Sequence, residues 1–482
     1  MKYFFLALLI PVALLLNAQA KPQTNTGGNT NNSHTNTSGG TGAKDNSAAA
    51  SPKTMEKYPK VKWRKKLKLA KQKIADGSYI SAAQYLEDAY KDKPSKVIIP
   101  HLLGEVNRFL RDYESAEKYY KAAITKDSVA FPTDKFYLGV MQKMNGKYAD
   151  AKSTLENYKK VKLDKGDKNL KGLADIEIAG CDSALWIVKS PTKVKVEKAE
   201  GAVNRPLQDF APQILKDNKL MYASEKTDTA VNNTTTKADY YTSIFTVDRQ
   251  GKTFSNRTLL PYPPNDPKAN TGNAILSDDE KTMIYTRCAD SFDLENRSIC
   301  KLYRTTKKNA LEWNAPEELK GLNSSEATTT EPAFGVDADG NDILYFASNR
   351  KGGKGGMDIY YAKMNKDGTF GGATNAGPEV NTIGDEVTPH YNKRTKTLYF
   401  SSNGHFSIGG LDVFKIAGTP GHWGAAINAG VPVNSSADDL YYVLDERGEN
   451  GYEVSNRVGT TSSRGSTCCD DIWTVTAVRD VI

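Results

Sequence analysis

Cysteine and histidine are scarce in this chain of 482 residues, at five each. They do not gather into metal-ligand spacings. There is no CxxC pair and no paired Cys/His set, so a zinc site is not expected, and neither is any other metal or cofactor. His390, His405 and His422 fall near one another in sequence, but spacings of 15 and 17 residues fit no familiar ligand pattern. HExxH and Gly-x-Ser-x-Gly are also missing, so no local motif marks a hydrolase centre. Long apolar runs are absent after the first twenty residues. A membrane-crossing helix needs about 18 or more such residues, so none is expected downstream. Acidic charge is short in one region only. Between Glu56 and Glu177 there are 27 Lys and Arg against 17 Asp and Glu, although the whole chain carries only +8. The rest is therefore near neutral.

The first twenty residues, MKYFFLALLIPVALLLNAQA, have the Lys2 charge, the apolar Phe4–Leu16 stretch and the Ala18-Gln19-Ala20 ending of a secretory signal peptide. Residues 21–54 are rich in Thr, Asn, Gly and Ser, with almost nothing apolar to bury. They are expected to be a disordered linker. Export makes nucleic acid an improbable partner for the basic run Lys57–Lys73. A solvated helix face, an anionic polymer, a lipid surface or an acidic protein fits it better. Export also permits disulfides. Cys288 and Cys300 flank a hairpin loop and are expected to pair. Cys468 and Cys469 are adjacent, so they form a vicinal bond, pair elsewhere, or stay as thiols.

Two repeats organise the remainder. From 55 to 190 the pattern is helical. Leu69-Ala70, Leu103-Gly104 and Leu138-Gly139 lie 34 and 35 residues apart, and Ala82, Ala116 and Ala151 each follow twelve residues after the small residue. Small residues let two antiparallel helices approach, while Leu86, Tyr120 and Leu155 fill the groove between them. From 191 to 482 the pattern is β. Leu344, Ser348, Asn349, Gly355, Gly356 and Asp358 reappear 54 residues later as Leu398, Ser402, Asn403, Gly409, Gly410 and Asp412, with a weaker copy at Gly451–Trp473. A unit of this length cannot bury its apolar faces alone, and radial stacking gives a propeller. Five blades are expected, or six, with starts at Asp209, Glu331, Asp385 and Asp438 among them. The last unit lacks an outer strand, and Lys193–Lys198 is expected to supply it and close the ring. Asp358, Asp412 and Asp471 are expected to accept backbone N–H bonds from tight turns. Asp337–Asp342 reads as a hairpin turn, and Gly352–Gly356 as a flexible inter-strand loop.

The 34-residue helical period resembles the tetratricopeptide repeat. The phrases Ser348-Asn349-Arg350, Gly355–Ile359 and Val380-Asn381-Thr382, with their later copies, resemble the WD40-like repeat of TolB-type propellers. In this order the two modules resemble periplasmic envelope proteins of Bacteroidetes-type bacteria, some associated with type IX secretion and gliding, though without the OmpA-like domain those often carry. The resemblance implies an all-α solenoid followed by an all-β propeller, in the periplasm or at the outer-membrane periphery. It implies a non-enzymatic scaffold for envelope proteins, including outer-membrane or peptidoglycan-associated components. Asn349, Arg350, Asn403, His405, Asn456 and Arg457, on the propeller's loop face, are the expected partner-binding residues. The alternative is a glycan-binding or glycan-processing propeller, which the central pocket would reveal through converging carboxylates.

Overall fold

A computed structural model of the chain describes residues 61–478, apart from 76, 162–167, 207, 226–241, 268, 293–297, 310–311 and 462–464. The leader at 1–20 and the linker at 21–54 lie outside the described residues. No described helix is long and apolar enough to cross a membrane.

Among the described residues seven helices come first: α1 (Trp63–Ala75), α2 (Tyr79–Asp92), α3 (Ile98–Phe109), α4 (Tyr113–Lys126), α5 (Asp134–Met144), α6 (Tyr148–Lys159) and α7 (Lys168–Ile187). The first six form three hairpins, and the small residues of the repeat sit where the helices of a hairpin meet. A Cβ on Gly104 would lie 2.7 Å from the Tyr120 ring, and one on Gly139 would lie 2.5 Å from Leu155. Each hairpin turns through one left-handed residue. In the first and third it is Gly77 (φ 70°) and Gly146 (φ 72°), but in the second it is Arg111 (φ 58°). That conformation costs a side chain about 1–2 kcal/mol, so an arginine there calls for a reason.

Among the described residues five blades follow, each built on four antiparallel strands; the first adds the short parallel strand Glu200–Gly201 and the fourth the short strand Ile427–Asn428. Their innermost strands are Asp209–Leu215, Asn270–Leu276, Thr329–Val336, Glu386–Asn392 and Asp439–Leu444. These inner strands adjoin in chain order, and the fifth adjoins the first. Val194–Lys198 pairs antiparallel with Trp473–Ala477 as the outer strand of blade five, so the ring closes as expected from the sequence. The apolar cores lie between blades. Ile343 and Tyr345 face blade four while Leu344 and Phe346 face blade two. Successive side chains of a strand point to opposite faces, so a strand covered on both faces reads as the unbroken apolar run Ile343–Ala347.

Blades are fastened to their neighbours by two repeated devices. First, an asparagine in each crossing segment donates to and accepts from one backbone residue of a third strand. Asn265 does this to Ile244, Asn323 to Leu302, Asn381 to Ile359, Asn434 to Val413 and Asn204 to Ile472, all at 2.7–3.0 Å. Second, the Gly-Gly pairs lie against the start of the next blade. A Cβ on Gly356 would meet Asp385 at 2.3 Å, and one on Gly410 would meet Asp438 at 2.0 Å. The loop expected to be flexible is thus clamped: Gly356 N–H donates to the Gly384 carbonyl (2.9 Å), and Lys354 and Gly355 N–H donate to Asp358. Asp412 and Asp471 accept turn N–H groups in the same way, from Ile408, Gly409 and Thr461. Asp337 closes its hairpin by accepting from Asp339 and Asn341.

The helices are welded to the loops of blades three to five at the end where inner strands begin. Arg111 explains its strained backbone here. The residue is only 7 % exposed, and its guanidinium pairs with Asp438 (3.0 Å) and Asp470 (2.7 Å). Tyr113 donates to Asp438 (2.8 Å), and Thr467 donates to the Arg111 carbonyl (2.6 Å). Further along, the buried Lys143 ammonium is shared between Glu177 on α7 and Ser407 of blade four.

Candidate functional site in the propeller channel

The inner strands do not run straight. Each has a register shift against the second strand, and at each shift sits one non-glycine residue with positive φ: Ala211 (54°), Asn273 (48°), Glu331 (55°), Thr388 (50°) and Tyr441 (48°). A bulge of this kind re-aims a side chain, and these five side chains are brought to one level of the channel. Above them lies a cavity of about 630 Å³, lined from this ring outward to the hairpins that join first and second strands.

The five residues form its floor. Ala211 is small, and Tyr441 of blade five passes blade one to donate to Asn273 Oδ1 of blade two (2.8 Å). Asn273 in turn donates to Thr330 (3.0 Å). Glu331 Oε2 accepts the Thr388 N–H (2.6 Å), and Thr388 Oγ1 accepts the Tyr441 N–H (3.2 Å). Burial raises the Glu331 carboxyl to about 7; the Asp385 charge adds to the rise and the Thr388 N–H opposes it. Near neutral pH this group therefore holds or releases a proton. Burial, with the Glu331 charge behind it, also keeps the Tyr441 phenol protonated.

Pro212, Ala274, Pro332, Phe334, Pro389 and Tyr391 are among the wall residues. His390 is a neutral wall residue, its imidazole lowered to about 4 by burial, with Nε2 accepting the Leu444 N–H (3.3 Å). The rim carries both signs of charge. Lys393 pairs with Asp278 (3.0 Å), and Glu280 accepts the Lys216 N–H (2.7 Å). Asp445, Glu446 and Arg447 stand beside them.

The residues expected to bind a partner are elsewhere, holding blades together. Asn456 is fully buried, accepting from Asp438 N–H and donating to Tyr113 and Thr467, so it is corrected from a surface contact to an internal weld. Asn349 and Asn403 accept the N–H groups of Thr328 and Asp385. His405 bonds the Val380 carbonyl (2.9 Å). Arg350 donates to Ser348, Leu322 and Thr329, and Arg457 to Asp439 and Glu453. These five are half-buried, with polar atoms committed inside the ring. Cys288 is disulfide-bonded to Cys300 across two strands of blade two, and Cys468 to Cys469. Sequence reasoning missed Asn273, Thr388 and Tyr441, and took Glu331 only as a blade start. The signal it had was a proline after the bulge residue at Ala211-Pro212, Glu331-Pro332 and Thr388-Pro389.

No protein-family model matches the chain, and comparison with curated proteins found no match. Solved structures align with somewhat over half of the chain. An endo-arabinase from Bacteroides thetaiotaomicron VPI-5482 aligns with TM-score 0.37 and 12 % identity over 58 % of this chain and 98 % of its own. A xylan β-1,4-xylosidase from Bacillus halodurans C-125 aligns with TM-score 0.37 and 14 % identity over 56 % of this chain and 53 % of its own. A protein of unknown function from Dyadobacter fermentans DSM 18053 aligns with TM-score 0.35 and 11 % identity over 56 % and 75 %. This similarity concerns the fold and assigns no reaction to the chain. The expectation that the chain is not an enzyme is withdrawn all the same. The physical reason is plain: a propeller gathers its reactive groups from different blades, so a missing local motif excludes no chemistry.

Proposed function

We propose that the propeller channel binds a short glycan and that Glu331 is the group that passes a proton to it. The observation that carries this reading is the floor, where a carboxyl titrating near neutrality, a phenol and an amide share one hydrogen-bonded ring beneath an apolar-walled cavity. The cavity's volume is in the ~300–1,000 Å³ range of small-molecule sites. Glycoside cleavage uses two carboxyl groups. The floor supplies one, and Asp278, Glu280, Asp445 and Glu446 at the rim are the candidates for the other. The test is calorimetric titration with a panel of neutral and acidic oligosaccharides, alongside an assay for new reducing ends. Binding is expected in the native chain and is expected to weaken roughly fivefold in Tyr441→Phe, which removes one neutral hydrogen bond worth about 1 kcal/mol. If no saccharide binds at millimolar concentration, or if Glu331→Gln and Tyr441→Phe titrate like the native chain, the reading fails.

A second reading concerns the helical hairpins. Their 34-residue spacing and the contact of Gly104 with Tyr120 support a tetratricopeptide docking arm. With the leader sequence and the TolB-like repeat phrases, they support an exported envelope protein at the periplasm or outer-membrane periphery that joins other envelope components, those of type IX secretion or gliding included. Cross-linking in intact cells followed by mass spectrometry tests this. Recovery of cytoplasmic proteins alone would overturn it.

A further inference from the structure

The first helix carries a feature that the channel does not use. α1 reads WRKKLKLAKQKIA and contains no acidic residue. Trp63, Leu67, Ala70 and Ile74 form the stripe that packs into the helical core. At 100° per residue, Lys62, Arg64, Lys65, Lys68 and Lys71 cover the opposite half of the cylinder, and all five are exposed. None of them has an ion pair with a described residue. The one cation of α1 that does is Lys66, with Asp92 at 2.9 Å. Helix α1 packs chiefly on α2, at the end of the stack, so its basic side faces outward, and among the described residues no acidic group pairs with it. Lys57 and Lys60, which extend the run in sequence, lie outside the described residues.

From this geometry we propose that the outer face of α1 is a docking surface for an anionic lipid bilayer. The face is the convex outside of a single helix, about 20 Å long. Five like charges on a half-cylinder match an extended negative plane better than a discrete acidic pocket. The apolar stripe is already committed to the core, so the helix cannot insert. The contact is therefore electrostatic, reversible and screened by salt. A cation at such a surface contributes about fivefold in partitioning, since each Lys or Arg is worth ~1 kcal/mol there. Neutralising three is expected to weaken binding roughly a hundredfold.

The experiment is co-sedimentation of the full chain with vesicles of equal phosphatidylglycerol and phosphatidylcholine, and with phosphatidylcholine vesicles alone. A parallel series uses the triple variant Lys62→Gln/Lys65→Gln/Lys68→Gln. These side chains are exposed, and retention of the far-UV spectrum and melting curve checks that the variant folds. The expected result is binding to the anionic vesicles that is lost by about 0.5 M salt and reduced roughly a hundredfold in the variant, with little binding to the neutral vesicles. The proposal is overturned if the variant binds anionic vesicles like the native chain, or if both vesicle types bind equally. It is also overturned if a soluble polyanion such as polyglutamate is captured while the vesicles are not, which would make the partner an acidic polymer. The outcome is independent of the channel, whose ligand is tested by titration in solution.

Discussion

Arg111 offers the sharpest test of how the helices and the propeller are held together. Replacing it with glycine does two opposite things. It relieves the left-handed turn at φ 58°, a gain of about 1–2 kcal/mol, and brings the second hairpin into line with Gly77 and Gly146. It also leaves Asp438 and Asp470 without the guanidinium that stands 3.0 and 2.7 Å away. Removing one partner of a buried ion pair costs about 3–5 kcal/mol. Asp438 keeps the Tyr113 hydroxyl and the Leu411 N–H, which places the loss toward the lower end. The expected net effect is destabilisation by about 1–4 kcal/mol. Urea unfolding should be followed at once by far-UV circular dichroism, which reports the helices, and by tyrosine and tryptophan fluorescence. In Arg111→Gly the helical signal is expected to fall first, as the helices uncouple from the blades. Adding Asp438→Asn and Asp470→Asn should recover most of the loss, because the uncompensated charges are gone. If Arg111→Gly proves as stable as the native chain or more so, the turn strain outweighs the ion pairs and the weld assigned to them does not exist.

Asn434→Ala removes both bonds to Val413 and leaves a buried N–H and C=O unsatisfied, so a loss of about 2–3 kcal/mol is expected in thermal or urea melts; a loss under 0.5 kcal/mol would refute the clamp. Val196→Pro breaks the strand paired with Val475 and exposes the edge of blade five, so light scattering should show concentration-dependent association absent from the native chain. For Glu331 the folded pKa of about 7 lies above the unfolded 4.5. Its contribution to stability is thus fully present below pH 4.5 and is lost as pH rises through about 7, a span of roughly 3 kcal/mol. Glu331→Gln should flatten that part of the stability profile between pH 5 and 8, and an unchanged slope would show that the carboxyl is not buried as described. His390, lowered to about 4, acts in the opposite sense, losing stability as pH falls from 6.5 toward 4, which is why the comparison must be native against variant.

The fold was legible because its devices repeat. Ser-Asn-Arg, Gly-Gly-x-Asp and Val-Asn-Thr/Ser recur, and each names a physical contact: Ser348 and Ser455 anchor an arginine, the glycines admit the next blade, and Asn381 and Asn434 mimic a strand partner. Three of the five asparagine clamps were missed: Asn265 and Asn323 because Pro264 and Leu322 stand where the phrase has Val, and Asn204 because Arg205 follows where the phrase has Thr or Ser. The closing strand was legible from a deficit, since one blade was a strand short and one strand was spare. The partner-binding residues were chosen for their place on the loop face, which does not tell a surface contact from an internal one. Asn349, Asn403 and Asn456 recur because each accepts the N–H just ahead of its own blade's inner strand.

The channel floor inverts that logic. Ala211, Asn273, Glu331, Thr388 and Tyr441 occupy one backbone position in five blades, and no two are the same amino acid. Were the bulge only a way to bend the strand, glycine would serve at all five and avoid strain of about 1 kcal/mol or more at each. None is glycine, and one is β-branched, the type least suited to positive φ. In a repeat protein, positions that agree between repeats hold the architecture. Positions that share a strained geometry and differ in side chain are where the ring is free to build something asymmetric. A floor with one carboxyl, one phenol crossing to one amide, one hydroxyl and one small residue that leaves room for the crossing has no fivefold symmetry. A ligand seated on it would meet a single preferred orientation, and that is the property a binding site in a symmetric ring must acquire.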